Sequence, residues 1–113
     1  MTAQVFTVTD IVTRQKEAHS SYYEFLRKPA LSVGLYRLAA KATDSQRPHG
    51  EDELYHVLRG HGTLQVDGQD NLVGPGSIVY VPAYASHRFH TITEELEVIV
   101  LFAPAESRGG GGC

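Results

Sequence analysis

Three side chains set the chemistry this sequence can support: His49, Glu53 and His87. The first two stand in PHGEDELYHVLRG, residues 48 to 60, with Glu53 four positions after His49 and Gly60 seven after Glu53. The third closes a second run that starts at Gly76 and passes through Pro82. Two imidazoles and a carboxylate, all delivered from strand-like surroundings, can occupy one face of a metal ion and leave its other face open to water, dioxygen or substrate. The same groups can also form a metal-free polar network inside a barrel. A lone histidine in a β-protein is more often a surface or satisfied core residue than a ligand; it is the joint spacing that favours ligation. Glu51, two residues past His49, is either a fourth, oxygen ligand or a solvated loop residue, and the rarity of buried unpartnered carboxylates favours the loop.

Around this set stand residues suited to a small organic substrate. Arg47 and Gln46 can orient an anionic or carbonyl-bearing molecule, because the guanidinium fork matches a carboxylate; the alternative is an exposed loop arginine. Tyr55, Tyr36 and Tyr80 can lend hydroxyls to a cavity or pack in strands with a wet tip. Phe89 shares the parity of His87 and completes the candidate substrate-binding group. His56, His61 and His90 are assigned to outer faces or turns, and His19 to a helix end.

The elements that must position these residues are short and β-rich. Residues 9 to 19, TDIVTRQKEAH, predict one short helix capped by Thr9 or Asp10. Strand-like runs follow at 22–26, 31–38, 53–58, 62–66, 77–82, 87–92 and 96–103. They are separated by turn chemistry at Lys28-Pro29, Asp67-Gly68, Gly74-Pro75-Gly76 and Thr93-Glu94-Glu95. With no interleaved helices, the pattern predicts an all-β sandwich or barrel. Alternation along a strand puts Glu53, Tyr55 and Val57 on one face and Leu54, His56 and Leu58 on the other. The same count groups His87 with Phe89 and Thr91, opposite Arg88 and His90.

A chain of 113 residues forms one domain with one modest core. With 42% hydrophobic and 20% charged residues it is neither disordered nor membrane-like, and no segment approaches the ~20 apolar residues of a span. The net charge of −3 and the absence of a Lys/Arg run argue against a nucleic-acid partner. No signal-peptide pattern opens the chain, so a cytoplasmic location is expected. Cys113, the sole cysteine, ends the run Gly109 to Gly112 and excludes an internal disulfide. Residues 105–113 read as a flexible Gly-rich tail, native or added as a conjugation handle, and residues 1–104 as the folded domain: helix and first strand to about 28, motif-bearing barrel from about 29.

The two motif runs resemble the paired motifs of the cupin superfamily. The first matches at the second motif histidine (His49), the glutamate with three residues between (Glu53) and the closing glycine (Gly60); the second matches at Gly76, Pro82 and His87. Residues 31 to 106, about two-thirds of the chain, look like the small single-domain bacterial cupins, which implies an RmlC-like jelly-roll β-barrel. Arg47 stands where the family has its first histidine, Tyr84 where it usually has glycine, and Thr91 where it usually has asparagine. The remaining His49, Glu53 and His87 resemble the set of cupins that hold iron with two histidines and one glutamate, while some relatives with incomplete sets hold no metal.

The resemblance therefore implies a divalent metal (Fe, with Zn, Mn, Ni or Cu as alternatives) and a mononuclear oxygenase-like or isomerase/lyase-like enzyme with His49, Glu53 and His87 catalytic. The alternatives are a metabolite-binding module, whose metal is structural or absent, and a subunit assisting a larger enzyme. Arg47 supports the binding module, since a cation near the site repels a divalent ion. By analogy with other jelly rolls, a homodimer is expected, with the apolar alternation of residues 22 to 38 as an open edge.

Overall fold

A computed structural model describes residues 2–44 and 48–107. One helix, α1 (Val8–Ala18), precedes six strands: β1 (Tyr22–Lys28), β2 (Leu31–Leu38), β3 (Asp52–Val66), β4 (Gln69–Val73), β5 (Ile78–Val81) and β6 (His87–Ala103). The helix starts one residue earlier than the sequence suggests, because Thr7 is the cap: its hydroxyl accepts from the Asp10 amide at 3.2 Å. His19 ends it in a left-handed conformation, φ 53°. Gln15 ties the helix to the sheet, its amide donating to the carbonyls of Ser21 and Leu35.

All strand pairings are antiparallel, in the order β1-β2-β6-β3-β4, with β5 also on β3. Four of the expected runs are really two long strands: 53–58 joins 62–66 as β3, and 87–92 joins 96–103 as β6. Each bends midway, where the β3–β6 register shifts between Val57 and Thr63. The bend is what lets one sheet close on itself. The front of β3 (Glu53 to His56) lies between β5 and the back of β6, and the back of β3 (Thr63 to Val66) lies between β4 and the front of β6. Gly60 takes φ +92° at the bend, and a Cβ there would run into the Glu95 carbonyl. Only glycine fits both demands.

Strand β4 was not among the expected strands; its sequence QDNLV carries residues depleted in strands and pairs through the Asp67-Gly68 turn. The alternation at the start of β3 holds, with Glu53, Tyr55 and Val57 buried and Leu54 and His56 exposed. In β6 the expected grouping fails at Thr91. His87 and Phe89 are buried, but Thr91 has φ 49° and is exposed, and burial resumes at Ile92. One left-handed residue resets the count. The core fills the barrel with Tyr55, Leu64, Phe89, Leu96, Val98 and Phe102. No helix among the described residues is long and apolar enough to cross a membrane.

Candidate metal centre

The barrel interior brings His49, Glu53 and His87 together: one ligand atom from each lies within 4.8 Å of the others. Glu53 comes from the inner face of β3, paired to Val81 of β5 and Phe102 of β6. His87 opens β6, after the turn that Pro82 begins, and pairs with Val66. His49 lies on the segment entering β3; its carbonyl accepts from the Tyr84 amide at 2.6 Å, which ties the two motif runs together. Tyr84 holds φ 66°, the left-handed region that explains the glycine usual there in the family.

The two imidazoles are turned alike. His87 Nδ1 lies 2.9 Å from the Ala85 carbonyl, so Nδ1 carries the proton and Nε2 faces the site, 3.0 Å from Glu53 Oε1. His49 turns Nδ1 toward Glu106 and buries Nε2 with no hydrogen-bond partner. Both Glu53 oxygens are likewise buried without one, and Oε1 meets His87 as a close ion pair. Three buried polar atoms, His49 Nε2 and the two Glu53 oxygens, lack hydrogen-bond partners and cost stability when dry. A cation meets their demand at once: two neutral imidazole nitrogens and a carboxylate are the donor chemistry of a first-row divalent metal.

Burial acts most strongly on His87 and disfavours its charge. The Glu53 carboxylate, the Ala85 carbonyl and the charge of Asp44 together outweigh it and raise the His87 pKa above its ordinary value. Asp44 was missed in the sequence, although it lies just ahead of the first motif. It is buried, accepts the Tyr36 hydroxyl at 2.7 Å, and accepts the Phe89 amide at 2.8 Å, which braces the strand that carries His87.

The remaining candidates separate. Tyr55 is fully buried, its ring 6.2 Å from His87 and 5.2 Å from Phe89, so both aromatics wall the site from within. Tyr36 commits its hydroxyl proton to Asp44 rather than to a cavity. Tyr80 pairs with Leu54 on the outer face, is 58% exposed, and bonds Asp52; the alternation that puts Glu53 inside puts Tyr80 outside. Glu51 is buried, not solvated as the loop reading has it; one of its oxygens is without a hydrogen bond, yet it is not within the cluster of three. Gln46 and Arg47 lie outside the described residues, as do residues 108–113 of the tail. Glu106, set aside with that tail, is 1% exposed.

A family model described as Cupin domain matches residues 34–104. The chain belongs to the cupin family. It is 42% identical over 104 residues to an uncharacterized protein of Streptomyces coelicolor, covering 92% of this chain and 99% of that one. It is also 31% identical over 58 residues to an acireductone dioxygenase of Bacillus licheniformis, covering 47% of this chain but only 32% of that protein. Among solved structures, an RmlC-like cupin from Shewanella frigidimarina superposes with a TM-score of 0.71 at 18% identity, covering 77% of this chain and 78% of that one. At that identity the likeness establishes the jelly-roll fold and leaves the activity to the site.

Proposed function

We propose that this cupin is a metal-dependent enzyme acting on a small organic molecule, with oxygenase chemistry as the leading reaction class and isomerase or lyase chemistry as the alternative. The observation that carries the proposal is the convergence of His49, Glu53 and His87, with His49 Nε2 and both Glu53 oxygens buried and without a hydrogen-bond partner. The partial likeness to an acireductone dioxygenase supports the oxygenase class. A bound divalent ion would supply Lewis acidity and, if iron or another redox metal, electrons for dioxygen.

The chain's own residues have three tasks in this reading. Glu53 provides the negative charge that a cation needs in an apolar barrel. His87, held by the Ala85 carbonyl, must be neutral with its proton on Nδ1 for Nε2 to ligate. Tyr55 and Phe89 form a wall that excludes water behind the reacting molecule. The close His87–Glu53 ion pair also suits a second reading, a metabolite-binding barrel that keeps this pair as a metal-free network.

Metal analysis of protein purified without chelator, followed by dioxygen uptake with small hydroxy acids, diketones and thiols, separates the readings. Stoichiometric iron with substrate-dependent uptake is expected, with both lost in Glu53→Ala. Metal-free protein that still binds a metabolite would favour the second reading. Homodimer formation belongs to the same proposal, and the mass of a single chain in sedimentation at micromolar concentration would remove it.

A further inference from the structure

The chain beyond β6 turns back across the first hairpin. Arg27 of β1 donates to the Glu106 carbonyl at 2.6 Å, the Ser32 hydroxyl of β2 accepts the Glu106 amide at 2.9 Å, and the Ala105 amide reaches the Pro29 carbonyl at 3.4 Å. Backbone contacts of this kind fix where a side chain can go. The carboxylate of Glu106 is buried, and its Oε2 lies 4.0 Å from His49 Nδ1. The His49 ring is packed edge-on against Phe102, with centroids 5.1 Å apart.

We propose that Glu106 is the positioning residue of His49: its carboxylate, placed by a backbone that Arg27 and Ser32 hold, keeps the proton of His49 on Nδ1 and so presents the Nε2 lone pair to the site. This rests on the metal-centre reading and extends it. A negative charge near one ring nitrogen stabilises the tautomer with its proton on that side, and a ligating histidine gains basicity and a fixed orientation from such a partner. At 4.0 Å the pair is within electrostatic reach but longer than a hydrogen bond, so closing it needs a ring movement of about 1 Å. Unlike His87, whose Nδ1 is fixed by the Ala85 carbonyl two residues away, His49 takes its orientation from a residue far along the chain. The first hairpin, which bears no ligand, thereby becomes part of the site.

Two readouts test this on full-length Glu106→Gln and Glu106→Ala. Ring nitrogen NMR of the metal-free protein reads the His49 tautomer directly: wild type is expected to show Nδ1–H, and Glu106→Ala a shift toward Nε2–H. Competition with a chromophoric chelator for Co2+ is expected to show affinity falling about 10- to 100-fold in Glu106→Ala and by a smaller factor in the isosteric Glu106→Gln. Folded variants with an unchanged tautomer and Co2+ affinity within twofold of wild type would overturn the proposal. If wild type itself ignores Co2+, the metal reading fails, and the tautomer measurement alone decides whether Glu106 positions His49. If Glu106→Ala does not fold, Glu106→Gln decides by both readouts.

Discussion

Replacing Glu53 by leucine separates a functional carboxylate from a structural one. Glu53 is 1% exposed and neither oxygen has a hydrogen-bond partner. An unsatisfied buried polar group costs about 1–3 kcal/mol, and leucine nearly matches glutamate in volume, so the change removes that cost without opening a cavity. Against this stands the lost attraction to His87 at 3.0 Å. With the carboxylate gone, burial, already the largest influence on His87, favours the neutral ring against the weaker pull of the Ala85 carbonyl and Asp44. No charge is stranded; what is lost is the His87–Glu53 contact itself, worth about 1 kcal/mol. Metal-free Glu53→Leu should therefore be between equal to wild type and about 2 kcal/mol more stable, with each kcal/mol worth roughly 4–8 °C in Tm for a small domain. Its Co2+ affinity should fall by more than the roughly 10- to 100-fold typical of losing a supporting partner. Urea unfolding with a chelator present, run beside a Co2+ titration, measures both. A loss of about 3 kcal/mol or more in the metal-free variant would refute the reasoning, since that is the signature of breaking a buried pair that the fold needs.

The same site and fold set four further outcomes. The His87 pKa is raised in the folded metal-free protein, so its stabilising share is present below the ordinary value near 6.5 and is lost as pH rises through the folded value; thermal melts across that range with chelator should show the decline. Metal uptake needs the neutral ring, so Co2+ affinity should change the opposite way and weaken as pH falls. Gly60→Ala must place a side chain at φ +92° against the Glu95 carbonyl and should cost at least about 2 kcal/mol in urea unfolding. Tyr36→Phe deprives buried Asp44 of the Tyr36 hydroxyl and should cost about 1–2 kcal/mol while metal uptake is retained, as chelator competition would show.

The fold class was legible because a pleated strand with one buried face alternates, and Glu53, Tyr55 and Val57 carry that alternation into the core. Helix α1 was legible from its composition, but its cap lay outside the window, since Val8 gives no polar signal and Thr7 does the bonding. The joining of runs into β3 and β6 was not legible. A polar stretch such as Thr93-Glu94-Glu95 reads as a turn, yet it is strand in β6, which pairs with the bent middle of β3. Strand β4 escaped because QDNLV gains its strand conformation from pairing with β3, not from its own preference. Thr91 escaped for a related reason: a β-branched residue is the last place to expect a left-handed backbone, and only the surrounding sheet imposes it.

The sequence alone determined the family, the all-β architecture and the donor types of the site, because residue type and spacing survive unchanged from chain to fold. Only the tertiary structure decided which groups meet. Asp44 and Glu106 bear no recognisable spacing to His49, Glu53 or His87, and they reach the site through the Phe89 amide and through the strap held by Arg27 and Ser32. Contacts between distant segments depend on where β3 and β6 bend, and that bend is set by a glycine, a strained threonine and the packing around them, which no local pattern encodes.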